Sequence, residues 1–135
     1  AMVGPKQFFA AARNVEDGGS LTVLATASTD TGNAVDEAIL AELVGAANLE
    51  LRLDRTLAER RAYPAIDVAG SSTRHEDQLF AADTLAQVAV LRGFVADVAA
   101  ERGTAAAHAE MLQRLGGSKT NDEFLREVGK SASAS

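Results

Sequence analysis

The chain has 135 residues, a length typical of one domain, and its formal net charge of −6 provides no overall basic surface for nonspecific nucleic-acid binding. It contains no cysteine, which excludes disulfides and thiolate metal sites and suits a cytoplasmic location. No apolar run approaches the roughly 18 residues of a membrane span, so no membrane contact is predicted.

The first half of the chain predicts alternating strands and helices. Residues 7–14 indicate the end of a helix, and residues 16–19 indicate a turn. Residues 20–27 are apolar and rich in β-branched side chains, as in a parallel strand covered on both faces. Residues 36–43 have helical spacing, and residues 49–53 alternate as a strand. Strand, helix and strand with short links predict a βαβ unit of a mostly parallel sheet.

The second half is predicted to be helical, over residues 75–81, 83–92 with a continuation to residue 100 as an option, 104–115 and 120–128. Residues 120–123 supply N-cap types before the last of these helices. Residues 131–135 predict a disordered tail. Because two strands cannot form a stable sheet alone, we expect the missing strands upstream and interpret the chain as a piece of a larger protein.

A small polar loop follows the first predicted strand, where open α/β sheets bind ligands. It contains Asp30, Thr31, Gly32 and Asn33. Hydroxyl, amide and backbone N–H groups can hold a phosphodiester backbone without positive charge. The alternative is a plain turn.

Four arginines lie within ten residues, accompanied by Asp54 and Glu59: Arg52, Arg55, Arg60 and Arg61. Guanidinium groups suit phosphates, and Tyr63 follows them with a flat ring that can stack on a base. The alternatives are a solvated charged face and a half-buried core tyrosine.

A single arginine, Arg74, follows two small polar residues. Supplied from a neighbouring subunit, such a side chain can stabilise the charge that develops during γ-phosphoryl transfer. The alternative is a surface arginine at a helix start, paired with Glu76 or Asp77.

Two kinds of site are missing from the sequence. There is no GxxxxGK[ST] phosphate-binding loop and no apolar strand ending in a catalytic aspartate, so the chain alone is predicted to be unable to hydrolyse a nucleotide. His75 and His108 are far apart, with no acid or cysteine at ligand spacing, and no metal site is predicted.

Several uncommon segments occur in an order that resembles the transcription termination factor Rho family, from about residue 4 to residue 130. They are FFAAARNVEDGGSLTVL at 8–24, NLELRLDR at 48–55, AERRAYPAID at 58–67, the Ser72-Thr73-Arg74 segment and KTNDEFL at 119–125. Members of this family are homo-hexameric ATPases that translocate along RNA and release transcripts from RNA polymerase. The resemblance therefore implies ATP with Mg²⁺ as cofactor in the hexamer, and RNA and the RNA polymerase elongation complex as partners.

The resemblance also implies an α/β fold, namely a partial RecA-like (P-loop NTPase) parallel sheet followed by a helical C-terminal subdomain. Residues 1–74 would form the C-terminal half of the ATPase core. Residues 75–130 would form the helical subdomain, and residues 131–135 would be the disordered tail.

Individual roles follow from the same resemblance. Arg74 matches the arginine finger that reaches a neighbour's ATP, Arg61 matches an arginine near that site, and Tyr63 matches the adenine-stacking aromatic. Residues 30–33 match the loop that holds RNA, and Gly45 lies beside the pocket for the antibiotic bicyclomycin.

Two positions depart from the family pattern. Lysines usual at the end of the RNA loop and before the interface glycine are here Ala34 and Val44. Their loss should weaken RNA binding or its coupling to ATP turnover. This keeps open a non-catalytic ring component that binds a partner. A rotary or export ATPase subunit is the remaining alternative, and the KTNDEFL segment argues against it.

Overall fold

The computed structural model describes residues 2–133, with side chains to residue 130. The chain divides into two units, Ala1–Glu50 and Leu51–Ser135. Helices and short strands both occur, which confirms the mixed α/β class. Within the described residues, no helix has the length and apolarity needed to cross a lipid bilayer.

The first unit contains two helices and three two-residue strands: α1 (Val3–Phe9), β1 (Arg13–Asn14), β2 (Ser20–Leu21), α2 (Ala34–Ala46) and β3 (Leu49–Glu50). β1 and β2 pair antiparallel, with Arg13 opposite Leu21. The predicted turn between them is confirmed, and Gly18 and Gly19 adopt the positive φ that the tight connection requires. The Lys6 ammonium of α1 donates to the Glu42 carboxylate of α2.

Two predictions in this unit are wrong. The first helix ends at Phe9 instead of near Asn14, which lies in β1. The strand expected over residues 20–27 is reduced to β2 and pairs antiparallel, so the described residues do not contain the expected parallel sheet. The cause is a lack of neighbours. None of residues 2–50 is buried, and Leu24, in the middle of the predicted strand, is 93% exposed.

The second unit holds the remaining elements: α3 (Arg55–Glu59), β4 (Ser72–Thr73), a 3₁₀ helix (Glu76–Gln78), α4 (Ala82–Arg102), α5 (Thr104–Gly117) and α6 (Asn121–Ser133). The predicted helices over 83–92, 104–115 and 120–128 are confirmed as α4, α5 and α6, and α4 includes the optional continuation to residue 100. Residues 75–81 form only the short 3₁₀ helix. The backbone of α6 includes the first three residues of the predicted disordered tail, and residues 134 and 135 lie outside the described part.

The core of this unit lies among its helices. Val95 and Val98 of α4 cluster with Ala107 of α5, and Phe124 and Val128 of α6 are also buried. The buried residues of α4 and of α6 recur at helical spacing, so each of these two helices turns one apolar face inward.

An ion-pair cluster joins α4 to α5. The Glu110 carboxylate accepts hydrogen bonds from Arg102 and from Arg114, the latter at 2.9 Å, and these guanidiniums lower the pKa of Glu110. The Arg114 guanidinium also lies 4.2 Å from the centre of the Phe94 ring, a cation–π contact.

Candidate functional site

The arginine-rich segment is organised by the short helix α3. Asp54 is its N-cap: the Asp54 carboxylate accepts from the Leu57 backbone N–H at 2.9 Å and from the Thr56 hydroxyl. The hydrogen bond from Thr56, followed by that from Leu57, holds the pKa of Asp54 below its ordinary value of 3.8. Leu57 is 0% exposed and anchors the helix in the core. The helix therefore has a fixed start and a fixed buried face.

Removing this cap gives a pH-dependent prediction. Asp54→Ala should lower the free energy of unfolding by about 0.5–2 kcal/mol at neutral pH. Because the folded-state pKa of Asp54 is lowered, its contribution is present above the ordinary aspartate pKa and is lost as the pH falls through the lowered value. The difference between wild type and Asp54→Ala, measured by urea denaturation, should therefore shrink in acid.

Asp54→Asn is the matched control, because asparagine caps helices about as well as aspartate and does not titrate. It should retain stability at neutral pH and remove the acid dependence that is due to this residue. A deficit for Asp54→Ala that is the same at both ends of the pH range would contradict this account.

The Tyr63 loop begins where α3 ends. The Arg61 N–H donates to the Ala58 carbonyl and the Ala62 N–H donates to the Leu57 carbonyl, both at 2.9 Å. The Tyr63–Pro64 peptide bond is cis. Tyr63 is 65% exposed, so it is not a half-buried core tyrosine, and most of its surface is accessible.

One stretch of backbone, residues 52–54, supports the loops that carry both Tyr63 and Arg74. The Asp54 N–H donates to the Ala65 carbonyl, and the Asp67 N–H donates to the Arg52 carbonyl, each at 2.9 Å. The Arg52 N–H donates to the Ser71 hydroxyl at 3.0 Å. The two candidate nucleotide-contacting segments therefore share one hydrogen-bonded frame.

Asp67 shapes the turn that leads to Arg74. Its carboxylate accepts from the Gly70 N–H at 2.9 Å, and its carbonyl accepts from the Ser71 hydroxyl at 2.6 Å. A Cβ at Gly70 would lie 2.3 Å from the Asp67 carboxylate and 3.0 Å from the Arg52 side chain. Only glycine fits this close approach without displacing them.

Arg74 follows β4 directly and is exposed. His75, the next residue, has φ of 54° and leads into the 3₁₀ helix. The Glu76 carboxylate, one of the partners considered for Arg74, accepts from the Arg92 guanidinium of α4 at 2.5 Å.

Backbone strain coincides with the predicted sites. Three non-glycine residues in the described part have positive φ: Asp30, Arg61 and His75. The first lies in the candidate RNA loop, the second precedes Tyr63 by two residues, and the third adjoins Arg74. A positive φ is costly for most side chains and clusters at functional sites. Of the three, Arg61 is the one whose residue type rarely adopts this conformation.

The candidate RNA loop belongs to the first unit and caps α2. The Asn33 side chain accepts from the Val35 N–H at 3.0 Å, and the Thr31 hydroxyl donates to the Asp36 carboxylate at 2.9 Å. Gly32 has φ of 73° and Asp30 precedes it. Residues 30–33 are all exposed. The loop is thus an ordered cap, and its local charge comes from acids alone.

The sequence-based prediction missed the supporting roles of four residues, namely Asp54, Asp67, Gly70 and His108. Asp54 and Gly70 could have been found, since Asp-x-x-Leu is an N-cap pattern and Asp67-x-x-Gly70 is a turn pattern. His108 could not, because it contacts the Pro64 carbonyl from 44 positions away. Among described residues, no cluster of three metal-ligating side chains occurs.

The sequence of the chain is similar to those of known proteins. No family model matches the chain. It is 45% identical over 130 residues to transcription termination factor Rho of Streptomyces lividans, and 45% over 131 residues to that of Haemophilus influenzae. The identity to Rho of Escherichia coli K12 is 43% over 131 residues.

These matches cover 96% to 97% of this chain but 18% to 30% of the relatives. The chain therefore spans less than a third of the length of the curated relatives it matches. It is similar to the C-terminal part of Rho, which confirms the resemblance found in the sequence.

Proposed function

We propose that the chain is the C-terminal part of a Rho-type protein, an RNA-dependent ATPase that assembles as a hexamer, translocates on RNA in the cytoplasm and terminates transcription. The observation that carries the proposal is the match to Rho over nearly the whole chain. The chain would complete nucleotide sites whose phosphate-binding loops lie elsewhere in the protein.

The residues of the second unit fit a nucleotide in part. The exposed Tyr63 ring offers a stacking surface for adenine, and the exposed guanidiniums of Arg61 and Arg74 offer charge for phosphates. The described residues contain no acidic cluster for Mg²⁺, so the metal would have to be held by other parts of the protein. Bound ATP with Mg²⁺ supplies the phosphoryl group that is transferred to water.

Each residue has a distinct proposed role. Tyr63 orients the base, and this orientation places the phosphates beside the arginine side chains of the site. Arg74, from the neighbouring subunit, stabilises negative charge on the transferring phosphoryl group. Arg61 binds near the same phosphates. Within one chain, the shared frame of residues 52–54 supports both loops, so it would connect the nucleotide site that contains Tyr63 to the neighbouring site that Arg74 reaches.

The RecA-like parallel sheet belongs to this proposal as well. Residues 2–50 have no buried side chain, and large apolar residues are exposed in and around the short strands: Val15 at 54%, Leu21 at 50%, Leu24 at 93% and Leu49 at 58%. Strands of this apolar character are normally covered on both faces. We infer that strands from the rest of the protein pair with this segment and complete the sheet.

The charge around the candidate RNA loop leads to a prediction. No lysine or arginine occurs between Arg13 and Arg52. Ala34→Lys, at the exposed start of α2, should raise the affinity of the full-length protein for single-stranded RNA. It should steepen the dependence of log K on log salt by about 0.7 for one new phosphate contact.

Ala41→Lys adds the same charge at an exposed position two turns further along α2, and is the control. Filter-binding titrations over a range of salt concentrations would measure both variants. Equal gains for the two lysines would point to nonspecific charge, and no gain for Ala34→Lys would remove residues 30–33 from the RNA path.

One observation favours a second candidate. The cation-free stretch around the loop carries only acids: Glu16, Asp17, Asp30, Asp36, Glu37, Glu42 and Glu50. A polyanion would be repelled from such a surface. A non-catalytic ring component that binds a protein partner is therefore the alternative.

The proposal that other parts of the protein supply the phosphate-binding loop and the catalytic acid can be tested with the chain itself. The 135-residue chain should show no ATP hydrolysis, because the phosphate-binding loop and catalytic acid are missing from it, whereas the full-length protein should hydrolyse ATP. Activity of the isolated chain without added upstream elements would contradict the proposal.

A further inference from the structure

We propose that His108 is a positioning residue for Tyr63, and that through it the helical part of the second unit sets the affinity for the nucleotide base. The inference rests on the proposed function, since it takes Tyr63 as the surface on which adenine stacks. His108 itself does not touch the nucleotide in this account.

The contact is a hydrogen bond between distant parts of the chain. His108 Nε2, on α5, lies 2.7 Å from the Pro64 carbonyl oxygen. Because a carbonyl can only accept, Nε2 carries the proton and donates. The bond reaches the residue directly after Tyr63.

His108 is also unusual in its surroundings. It is 4% exposed and is the buried polar side chain of the described part, in a unit whose other buried side chains are apolar. Burying a polar group costs free energy unless it is hydrogen-bonded, and the bond to Pro64 supplies a partner. An apolar side chain would fill this core position without needing a hydrogen-bond partner. We therefore expect the histidine to have a role in addition to packing.

The loop around Tyr63 shows what the bond adds. Before Tyr63, the Ala62 N–H is held by the Leu57 carbonyl of α3. After it, the Ala65 carbonyl is held by the Asp54 N–H. The peptide group between these anchors is held at the Pro64 carbonyl, by the Ile66 N–H at 2.9 Å and by His108. His108 thus supplies a long-range contact at the centre of the loop.

Packing does not fix the orientation of the Tyr63 side chain. At 65% exposure its ring has little packing, so its orientation before a ligand arrives depends on its backbone. Loss of the His108 bond would let the loop sample other conformations. Base binding would then carry the cost of ordering the loop.

The experiment uses a matched pair of variants in the full-length protein. His108→Gln retains a side-chain N–H donor, and His108→Met has a similar length and no donor. His108→Met should raise KM for ATP about 3- to 10-fold, the loss of one hydrogen bond. The kcat should be unchanged, because base stacking is the same in ground and transition states. His108→Gln should restore the wild-type KM.

A double-mutant cycle with Tyr63→Ala shows whether His108 acts through Tyr63. Tyr63→Ala alone should raise KM for ATP, and adding His108→Met should raise it no further. If His108→Met raises KM for ATP by the same factor in the Tyr63→Ala background as in the wild type, the inference is overturned. An unchanged KM in His108→Met together with a raised KM in Tyr63→Ala would overturn it while sparing the proposed function. An unchanged KM in Tyr63→Ala would remove the adenine platform from the proposed function.

A spectroscopic readout on the 135-residue chain needs no nucleotide. Tyr63 is the only tyrosine and the chain has no tryptophan, so tyrosine emission reports this residue alone. His108→Met should lower its emission anisotropy, and His108→Gln should not. The other outcome is that His108→Met unfolds, whereas His108→Gln folds but shows a lowered Tyr63 emission anisotropy. His108 would then contribute only to core stability, and the inference would be overturned.

Discussion

Arg74→Ala in the full-length protein is expected to lower ATP turnover by about 10³-fold or more, the range seen when an arginine supplied from a neighbouring subunit is removed from a phosphoryl-transfer site. The affinity for ATP should stay within a few fold, because the guanidinium acts on charge that develops in the transition state. Steady-state hydrolysis and equilibrium nucleotide binding would measure the two quantities separately. Unchanged turnover would remove Arg74 from the site.

Two variants control for other effects of this change. Arg126→Ala removes an exposed arginine from α6, outside the proposed site, and should leave turnover unchanged. Arg74→Lys keeps the charge and loses the planar fork of donors, so it should recover little activity.

Leu57→Ala is expected to lower the free energy of unfolding by about 2–5 kcal/mol, the usual cost of removing a fully buried leucine side chain. Leu57 is 0% exposed, the largest fully buried side chain in the described part. Its backbone carbonyl also accepts from the Ala62 N–H beside Tyr63. The variant should therefore loosen the Tyr63 loop as well as the core.

Leu53→Ala is the matched control, because this leucine lies on the adjoining strand segment and is 71% exposed. Urea unfolding of the 135-residue chain would measure both variants. A cost below about 1 kcal/mol for Leu57→Ala would show that the site can collapse around the deletion, contrary to the proposed anchoring of α3.

The helices of the second half could be predicted because their information is local. Apolar residues recur at helical spacing, and the expected cap of α6 is confirmed by the Glu123 N–H, which donates to the Thr120 hydroxyl at 3.2 Å. Tyr63 and Arg74 could be singled out for the same reason, as their neighbours in sequence are unusual. These features need no knowledge of distant partners.

The strands and the support of the site could not be predicted in this way. Residues 20–27 have the composition of a buried parallel strand, but a strand exists only with its partners, and here β2 pairs with the short β1. The His108 contact joins residues 44 positions apart, and no periodicity connects them. The sequence pattern thus identified the side chains proposed to contact ligands, and it did not identify the residues that support their loops.

We propose that this chain serves an RNA-driven ATPase. The most direct test measures ATP hydrolysis by the full-length protein with and without pyrimidine-rich RNA. We expect strong stimulation by RNA, which would mean that the loop at residues 30–33 engages RNA without the usual lysines at Ala34 and Val44. No hydrolysis in either condition would contradict the claim and favour the non-catalytic ring component.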